Sequence, residues 1–142
     1  MTRTLMNIGE AATAAGVSAK QVRHYEAIGL LPPAARSEAG YRQYGDRDVA
    51  ALRFIRQSRR LGFSMQQIGE LMDLWRDSHR ASRQVKRLAQ LHVDALAQKL
   101  LEMAEMKHAL EQLIASCHGD DHADCAILDG LAMTRPAPAR AR

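Results

Sequence analysis

The sequence predicts a mainly α-helical fold in which short helices precede one long helix. Short apolar runs separated by turn residues fill the first half of the chain, and neither proline nor glycine occurs from Ser82 to Ser116. A stretch without helix-breaking residues favours a single helix, here about 50 Å long. The chain has 142 residues, which is room for about one domain with a modest core.

Two short helices joined by a turn are predicted at the start of the chain. Residues 8–15 form a helical run with few polar positions, and Gly16-Val17 supplies the turn. Ser18 stands where an N-cap belongs, ahead of residues 19–26. Gly29 is expected to end this second helix, because glycine readily takes the left-handed conformation there. The pattern is typical of a helix-turn-helix, whose second helix enters the major groove of DNA.

A β-hairpin and two further helices are predicted next. Residues 34–44 have the turn chemistry of a hairpin, with Gly40 able to take positive φ, and would form a wing. Asp46 is expected to cap a helix that places its apolar and basic residues on opposite faces. Ser64 is expected to cap the following helix. The predicted core residues of that helix are Ile68, Leu71, Met72 and Trp75.

Basic residues are concentrated in the first part of the chain. Residues 1–60 carry ten Lys and Arg against five acidic residues, whereas the remainder carries ten against eleven. A surface that binds a polyanion is therefore expected in the first sixty residues.

The apolar residues of the predicted long helix recur at spacings of four and three, which is a heptad seam. A helix of this length cannot bury its seam alone, so we expect antiparallel pairing with a second copy, and hence a homodimer. Lys107 interrupts the seam and would fix the register or extend to solvent, while Met103 and Met106 are expected to be packing residues. The seam comprises Ala89, Val93, Leu96, Leu100, Met103, Lys107, Leu110 and Ile114.

The two cysteines of the chain, Cys117 and Cys125, flank a seven-residue loop that follows the long helix. This spacing lets both sulfurs face one point, and thiolates are the ligands that soft ions such as Cu(I) select. No stretch approaches the ~20 apolar residues of a membrane span, and no signal peptide is evident, so we expect a cytoplasmic protein. Thiols stay reduced there, which favours metal binding or redox chemistry. An intraloop disulfide or two thiols without function is the alternative.

No enzyme signature is present. The sequence has no glycine-rich phosphate loop and no HExxH, and neither cysteine has an evident general base. The remaining interpretations are a transcription activator that responds to Cu(I) or a similar ion, a redox or divalent-metal sensor that uses the same cysteines, and a DNA-binding architectural protein whose cysteines have no role.

Short motifs along the whole chain resemble one known family. The first group is Ile8-Gly9-Glu10, Val22-Arg23-His24-Tyr25-Glu26, Gly29-Leu30-Leu31, Arg36-Ser37, Gly40-Tyr41-Arg42, Tyr44 and Gly62-Phe63-Ser64. These motifs resemble the winged-helix domain of MerR-family transcription regulators. The second group is Ser82, Val85-Lys86, the Cys117-x7-Cys125 loop and Ala126-Ile127-Leu128. It resembles the copper-efflux regulators of that family, the CueR-like branch.

The resemblance implies a mainly α fold: a winged helix-turn-helix DNA-binding domain, then a long antiparallel coiled-coil dimerisation helix and a C-terminal metal-binding loop. The DNA-binding domain would span residues 6–76 and the dimerisation helix residues 81–116. Residues 117–130 would form the metal-binding loop and a short C-terminal element. Residues 133–142, rich in Pro, Ala and Arg, are expected to be disordered.

The resemblance also implies a set of DNA contacts from three elements. Arginine can read guanine edges or pair with phosphate, whereas lysine and tyrosine mostly fix the register through the backbone. The expected contacts are Lys20, Arg23 and Tyr25 on the recognition helix, Arg36, Tyr41 and Arg42 on the wing, and Arg56 and Arg59 at flanking phosphates.

For the metal, the resemblance implies a site for a monovalent ion. Divalent-metal members of the family supply a third thiolate from the partner's dimerisation helix, at the position that Ser82 occupies here. Two thiolates and one monovalent ion carry a net charge of −1, which Lys86 could compensate. We therefore expect one Cu(I), Ag(I) or Au(I) per subunit. A Cys2His2 zinc site with His118 and His122 is the alternative, disfavoured because Cys117 and His118 are adjacent.

The family's mechanism implies that the dimer stays on its operator with and without metal, within a promoter whose spacer is too long. Metal binding would make the dimer bend and untwist the DNA, so that RNA polymerase transcribes genes for metal efflux or detoxification. Only a difference in metal affinity between two dimer conformations can shift their equilibrium.

Overall fold

The computed structural model describes residues 5–133, which contain six helices and one two-stranded sheet. The predicted disordered tail lies outside the described residues, except for Met133, which ends the last helix. In chain order the elements are α1 (Ile8–Ala15), α2 (Ala19–Ala27), β1 (Ala35–Arg36), β2 (Arg42–Gln43), α3 (Asp46–Arg60), α4 (Met65–Arg76), α5 (Ser82–Ser116) and α6 (Ala126–Met133).

Capping side chains fix where the short helices begin. The Ser18 hydroxyl accepts a hydrogen bond from the Gln21 N–H at 3.1 Å, and Gln21 Oε1 accepts one from the Ser18 N–H at 2.9 Å. Ser64 forms the same reciprocal pair with a glutamine three residues later. Both predicted caps are confirmed. The N-cap of α3 is Gly45 and not Asp46 as predicted, because Gly45 has the extended backbone of a cap and Asp46 is already helical.

Gly29 ends α2 in the predicted way. Its φ is +82°, in the left-handed region, and the N–H of Leu30 donates to the carbonyl of Tyr25 at 3.0 Å. This bond satisfies a carbonyl that the end of a helix leaves without a partner. The chain then leaves α2 toward the hairpin.

The hairpin pairs β1 and β2 antiparallel, with Ala35 opposite Gln43 and Arg36 opposite Arg42. At its tip Gly40 has φ +84°, and its carbonyl accepts a hydrogen bond from Arg36 Nη1 at 2.8 Å. Two backbone hydrogen bonds of 2.8 Å between Met6 and Tyr44 attach the N-terminal segment to the base of the hairpin. The wing is therefore held at its tip and at its base.

The core lies between α1, α2, α3 and α4. Phe54 of α3 stacks on Trp75 of α4 with ring centroids 4.7 Å apart, but Trp75 is 41% exposed and is not the core residue that was predicted. Its ring covers the core edge instead of filling the centre. The buried cluster comprises Ala11, Ala12, Ala15, Val22, Tyr25, Leu31, Tyr44, Val49, Ala51, Leu52, Ile55, Ile68 and Met72.

The described chain divides into two compact units, one up to Ala89 and one from Gln90 onward. The division falls inside α5, the 35-residue helix that the absence of Gly and Pro predicted. His92 is the buried residue of α5, and α6 has none. Within residues 5–133, no helix combines the length and apolar character that crossing a bilayer requires.

Candidate functional site

Most of the predicted DNA contacts lie on the surface of the first unit. Lys20 and Arg23 are exposed on α2, and Arg36 and Tyr41 are exposed on the hairpin. Arg42 is half-buried. Arg56 and Arg59 are also exposed, on α3. Three different elements thus present basic groups, which is the composition expected of a surface that binds phosphates.

Tyr25 is the exception, because its side chain belongs to the core. The residue is 1% exposed, and its hydroxyl accepts a hydrogen bond from Arg59 Nη1 at 3.0 Å. The ring of Tyr25 therefore supports α2 from inside, while its hydroxyl meets Arg59 at the depression that Arg56, Arg59 and Arg60 also line, so a contact with DNA stays a prediction for this hydroxyl alone. The sequence contained a signal for this burial, since Tyr25 follows the buried Val22 by three residues and shares its helix face.

The basic residues of α3 are fixed against the helix-turn-helix. Arg53 donates through Nε and Nη2 to the carbonyl of Ala14 at 3.3 and 3.1 Å, which ties α3 to the end of α1. Arg56 lies against the turn, where a Cβ added to Gly16 would be 3.1 Å from Arg56 Nε. Arg56, Arg59 and Arg60 line one shallow depression beside this turn. Such a cluster of guanidinium groups suits a phosphate.

Glu26, which was not among the predicted contacts, links the recognition helix to the wing. Its carboxylate accepts a hydrogen bond from the Tyr44 hydroxyl at 2.8 Å and lies 3.4 Å from Arg42 Nε. Burial and the neighbouring carboxylate raise the pKa of Tyr44 to about 12, so its phenol stays protonated and donates. The partners are 16 and 18 residues from Glu26, and no local pattern could have shown the contact.

In the second unit the structure brings the two predicted metal ligands together. Cys117 Sγ and Cys125 Sγ are 3.9 Å apart, and both cysteines are free thiols. A disulfide would require about 2.05 Å. Both residues are half-buried at the base of the loop, so the sulfurs are shielded but not enclosed.

Backbone N–H groups near the sulfur of Cys117 favour its thiolate form. The N–H of Gly119 lowers the pKa of the Cys117 thiol most, followed by the Cys125 thiol and the N–H groups of Ala126 and Ile127. Ala126 and Ile127 form the start of α6, whose free N–H groups favour negative charge. Gly119 has φ +62°, which turns the chain back after Cys117. The loop therefore stabilises a thiolate at this position.

The two histidines of the loop do not join the cysteines. His118 and His122 are both exposed, and the N–H of His122 donates to Asp120 Oδ1 at 2.9 Å in a local turn. Among residues 5–133, no cluster of three or more His, Cys, Asp or Glu side chains could hold a metal ion. Within one chain, the described donor set is therefore a pair of thiols.

Helix α6 packs closely on the end of α5. A Cβ added to Gly130 would overlap Leu113 Cδ2, so the absence of a side chain at Gly130 allows the two helices to approach. Sequence reasoning did not single out Gly130. This close packing anchors the helix whose first N–H groups face Cys117.

Ser82 and Lys86 are exposed in the first turns of α5, and Cys117 directly follows its last residue. A helix of 35 residues is about 50 Å long.

Comparison with known proteins identifies the family. Residues 6–75 match the MerR HTH family of regulatory proteins, and residues 49–113 match the MerR DNA-binding family. The chain belongs to the MerR family. Its predicted class, a DNA-binding transcription regulator and not an enzyme, is thereby confirmed, as is the mainly helical fold with a long helix after the DNA-binding domain.

Three members of the MerR family are similar to this chain over most of its length. It is 52% identical to heavy metal-dependent transcription regulator 2 of Rhizobium meliloti, over 89% of this chain and 86% of the relative. It is 40% identical to the regulator CueR of Salmonella typhimurium, over 89% and 91%. The crystal structure of the regulator PbrR691 from Ralstonia metallidurans, in complex with lead(II), superposes with a TM-score of 0.79 at 32% identity, over 89% and 98%.

Proposed function

We propose that this MerR-family protein is a metal-responsive activator that binds promoter DNA as a homodimer and responds to Cu(I), or to Ag(I) or Au(I). Each subunit would hold one ion between Cys117 and Cys125. The observation that carries the proposal is the pair of free sulfurs 3.9 Å apart, with no third protein ligand among the described residues. The cytoplasm, where thiols stay reduced, is the compartment that suits such a site.

The distance between the sulfurs is close to that required by one shared soft ion. With metal–sulfur bonds of about 2.3 Å, two sulfurs in line on a two-coordinate ion would be about 4.6 Å apart, so the 3.9 Å separation would widen by about 0.7 Å when such an ion binds. The ion would supply a soft acceptor for two thiolates, and the lowered pKa of Cys117 favours the thiolate form that such an ion requires.

Ligand number supports a monovalent ion over a divalent one. Zinc sites in proteins almost always have four ligands, or three plus water, whereas the described loop offers two. In an antiparallel dimer the start of one α5 lies near the end of the other. Ser82 of the second copy would then approach the loop without adding a thiolate, and Lys86 would offset the net charge of −1.

The exposed seam of α5 supports the homodimer. Leu100, Met103 and Ile114 are each at least 60% exposed in the single chain. Apolar side chains at heptad spacing on one helix are typical of a coiled-coil interface. Pairing two copies would also place two recognition helices on one pseudo-palindromic operator.

The response would pass through the loop and α6. The N–H groups of Ala126 and Ile127 face Cys117, and Gly130 lets α6 pack on Leu113 of α5. A change in the sulfur pair would therefore shift α6 and bias the dimer between two conformations. One of these would bend and untwist an overlong promoter spacer, so that RNA polymerase initiates at genes for metal efflux or detoxification.

A divalent-metal or thiol-redox sensor of the same fold is the second candidate. Two free thiols 3.9 Å apart are also placed to form a disulfide after modest movement. A relative with lead(II) bound shows that the fold can accommodate a divalent ion.

Transcription in vitro separates these candidates. Footprinting on the intergenic DNA near the gene would first locate the operator. The purified protein and RNA polymerase would then receive Cu(I), Ag(I), Zn(II), Cd(II), Pb(II) or the thiol oxidant diamide. We expect activation by Cu(I) and Ag(I) alone. Activation by a divalent ion at a lower free concentration, or by diamide, would support the second candidate instead.

A further inference from the structure

One carboxylate joins the recognition helix to the wing. Glu26 lies in the last turn of α2, and Arg42 and Tyr44 lie on and beside β2. Glu26 Oε1 accepts a hydrogen bond from the Tyr44 hydroxyl at 2.8 Å, and Glu26 Oε2 lies 3.4 Å from Arg42 Nε. Two groups of the hairpin are thus held by a single side chain of the recognition helix.

The contact between Glu26 and Arg42 is partly shielded from solvent, which limits the partners that either side chain can have. The Glu26 side chain is 11% exposed and that of Arg42 is 36% exposed, while Tyr44 is in the core. A largely buried carboxylate requires hydrogen-bonding partners. Within residues 5–133, Arg42 is the cation paired with Glu26 and Glu26 is the anion paired with Arg42. The guanidinium therefore has one internal partner that can set its orientation.

The ion pair joins Glu26 to Arg42 at Nε. Among the described residues Arg42 Nη1 and Nη2 donate no hydrogen bond, so both can donate to another acceptor. A guanidinium is a rigid, planar fork, so fixing one edge determines where the other edge points. A phosphate oxygen would suit that free edge.

We propose that Glu26 is a positioning residue for DNA binding, which fixes the Arg42 guanidinium relative to the recognition helix so that helix and wing engage one operator together. This inference rests on the proposed DNA-binding surface. Glu26 itself does not need to touch DNA, and it acts through Arg42.

A purely electrostatic role of Glu26 predicts the opposite change in operator affinity when Glu26 is replaced. Glu26 is an anion beside a surface that binds a polyanion, so charge alone predicts that its removal strengthens binding to every DNA sequence. Positioning predicts that its removal weakens operator binding, because Arg42 loses its orientation, while binding to unrelated DNA is unchanged or stronger. The sign of the operator effect therefore separates the two roles.

The test uses the full-length protein with Glu26→Gln, which keeps the shape of the side chain and an acceptor for Tyr44. Affinity for the operator and for an unrelated duplex would be measured at several salt concentrations. We expect operator binding to weaken about fivefold, the size of one loosened ion-pair contact. The matched control Glu38→Gln removes the same charge at an exposed wing position and should shift both affinities in the same direction. An increase of both affinities in Glu26→Gln would overturn the inference.

A double-mutant cycle tests the route through Arg42. In an Arg42→Ala background, Glu26→Gln should cause no further loss of operator affinity. Full additivity of the two losses would overturn the inference and leave the proposed DNA surface intact. An Arg42→Ala variant with unchanged affinity would overturn the inference and remove Arg42 from the proposed DNA surface.

Circular dichroism would check that Glu26→Gln folds. If Glu26→Gln does not fold, Arg42→Lys tests the same positioning role, because lysine keeps the positive charge and lacks the planar fork of the guanidinium. We expect Arg42→Lys to weaken operator binding. Operator affinity equal to that of the unmodified protein would show that only charge matters and would contradict the positioning role.

Discussion

The two compact units of this protein differ in how they cover their apolar residues. In the first unit Tyr25, Leu52, Ile55 and Ile68 are all less than 2% exposed. In the second unit Leu100 of α5 is 68% exposed, and α6 buries no residue. The first unit therefore completes its core within one chain, whereas the second presents an exposed apolar surface, which the proposed homodimer would cover.

The units also differ in how their functional groups are held. Glu26 with Tyr44, Arg59 with Tyr25 and Arg53 with Ala14 are contacts between residues far apart in sequence. The environment of Cys117 is local, built from backbone groups within ten residues. The proposed DNA-binding surface is thus preformed, while the loop is the part that a small ligand can reorganise.

The largest expected effect is the loss of metal response without loss of DNA binding. Cys117→Ser should abolish transcriptional activation by Cu(I), because a single thiolate remains, and should change operator affinity by less than about twofold, because Cys117 is not one of the predicted DNA contacts. Cys125→Ser should behave in the same way. Transcription in vitro and band-shift titration would measure both effects.

His118→Ala is the matched control for the cysteine variants. It alters an exposed neighbour of Cys117 and should keep the response. Loss of activation in this variant would favour a Cys2His2 site. Loss of operator binding in the cysteine variants would instead show that the loop stabilises the fold.

The next effect tests whether α5 needs a partner. Leu100→Glu places a charge in the exposed seam and should weaken dimerisation by at least about a hundredfold, since the buried carboxylate would occur in both copies. Gln98→Glu adds the same charge outside the seam and should leave the dimer intact. Analytical ultracentrifugation would report the mass of each variant. A Leu100→Glu protein that remains dimeric would mean that the seam is not the interface.

A smaller effect is expected at the preformed surface. Arg23→Ala should weaken operator binding about tenfold in both metal states and relax the sequence preference, while Arg42→Ala should lower the salt dependence of binding by about one phosphate contact. Lys99→Ala removes a charge from α5 and should change neither quantity. Unchanged binding in both arginine variants would contradict the assignment of α2 and the hairpin to DNA.

The smallest effect concerns ion selectivity. Ser82→Cys would supply a third thiolate from the partner subunit in an antiparallel dimer. We expect higher affinity for Cd(II), Hg(II) or Zn(II) and partial activation by at least one of them. Arg83→Cys places a thiol on the adjacent residue, turned about 100° around the helix, and should have no such effect. Equal behaviour of the two variants in metal titrations would show that residue 82 is not near the site.

Local signals predicted much of the fold. The caps at Ser18 and Ser64 and the end of α2 at Gly29 each depend on residues within a few positions, which is the range that a sequence pattern can resolve. Local patterns did not show that one residue can serve two surfaces. Tyr25 was predicted as a DNA contact, and its ring belongs with Val22 to the buried core while its hydroxyl meets Arg59.

The candidate metal site could be predicted only in part from the sequence. Composition and spacing identified Cys117 and Cys125, and the loop does bring their sulfurs within 3.9 Å. The N–H groups at the start of α6, and the role of Gly130 against Leu113, depend on the packing of two helices. The contact of Glu26 with Arg42 and Tyr44 likewise joins residues that only the folded chain brings together.

The central claim is that each subunit binds one monovalent ion through two thiolates. X-ray absorption spectroscopy on the full-length dimer, loaded with one Cu(I) per chain under reducing conditions, counts the atoms bound to copper. We predict two sulfur neighbours and no nitrogen. Three or four sulfur or nitrogen neighbours, or equal occupancy by Zn(II) in direct competition, would contradict the claim.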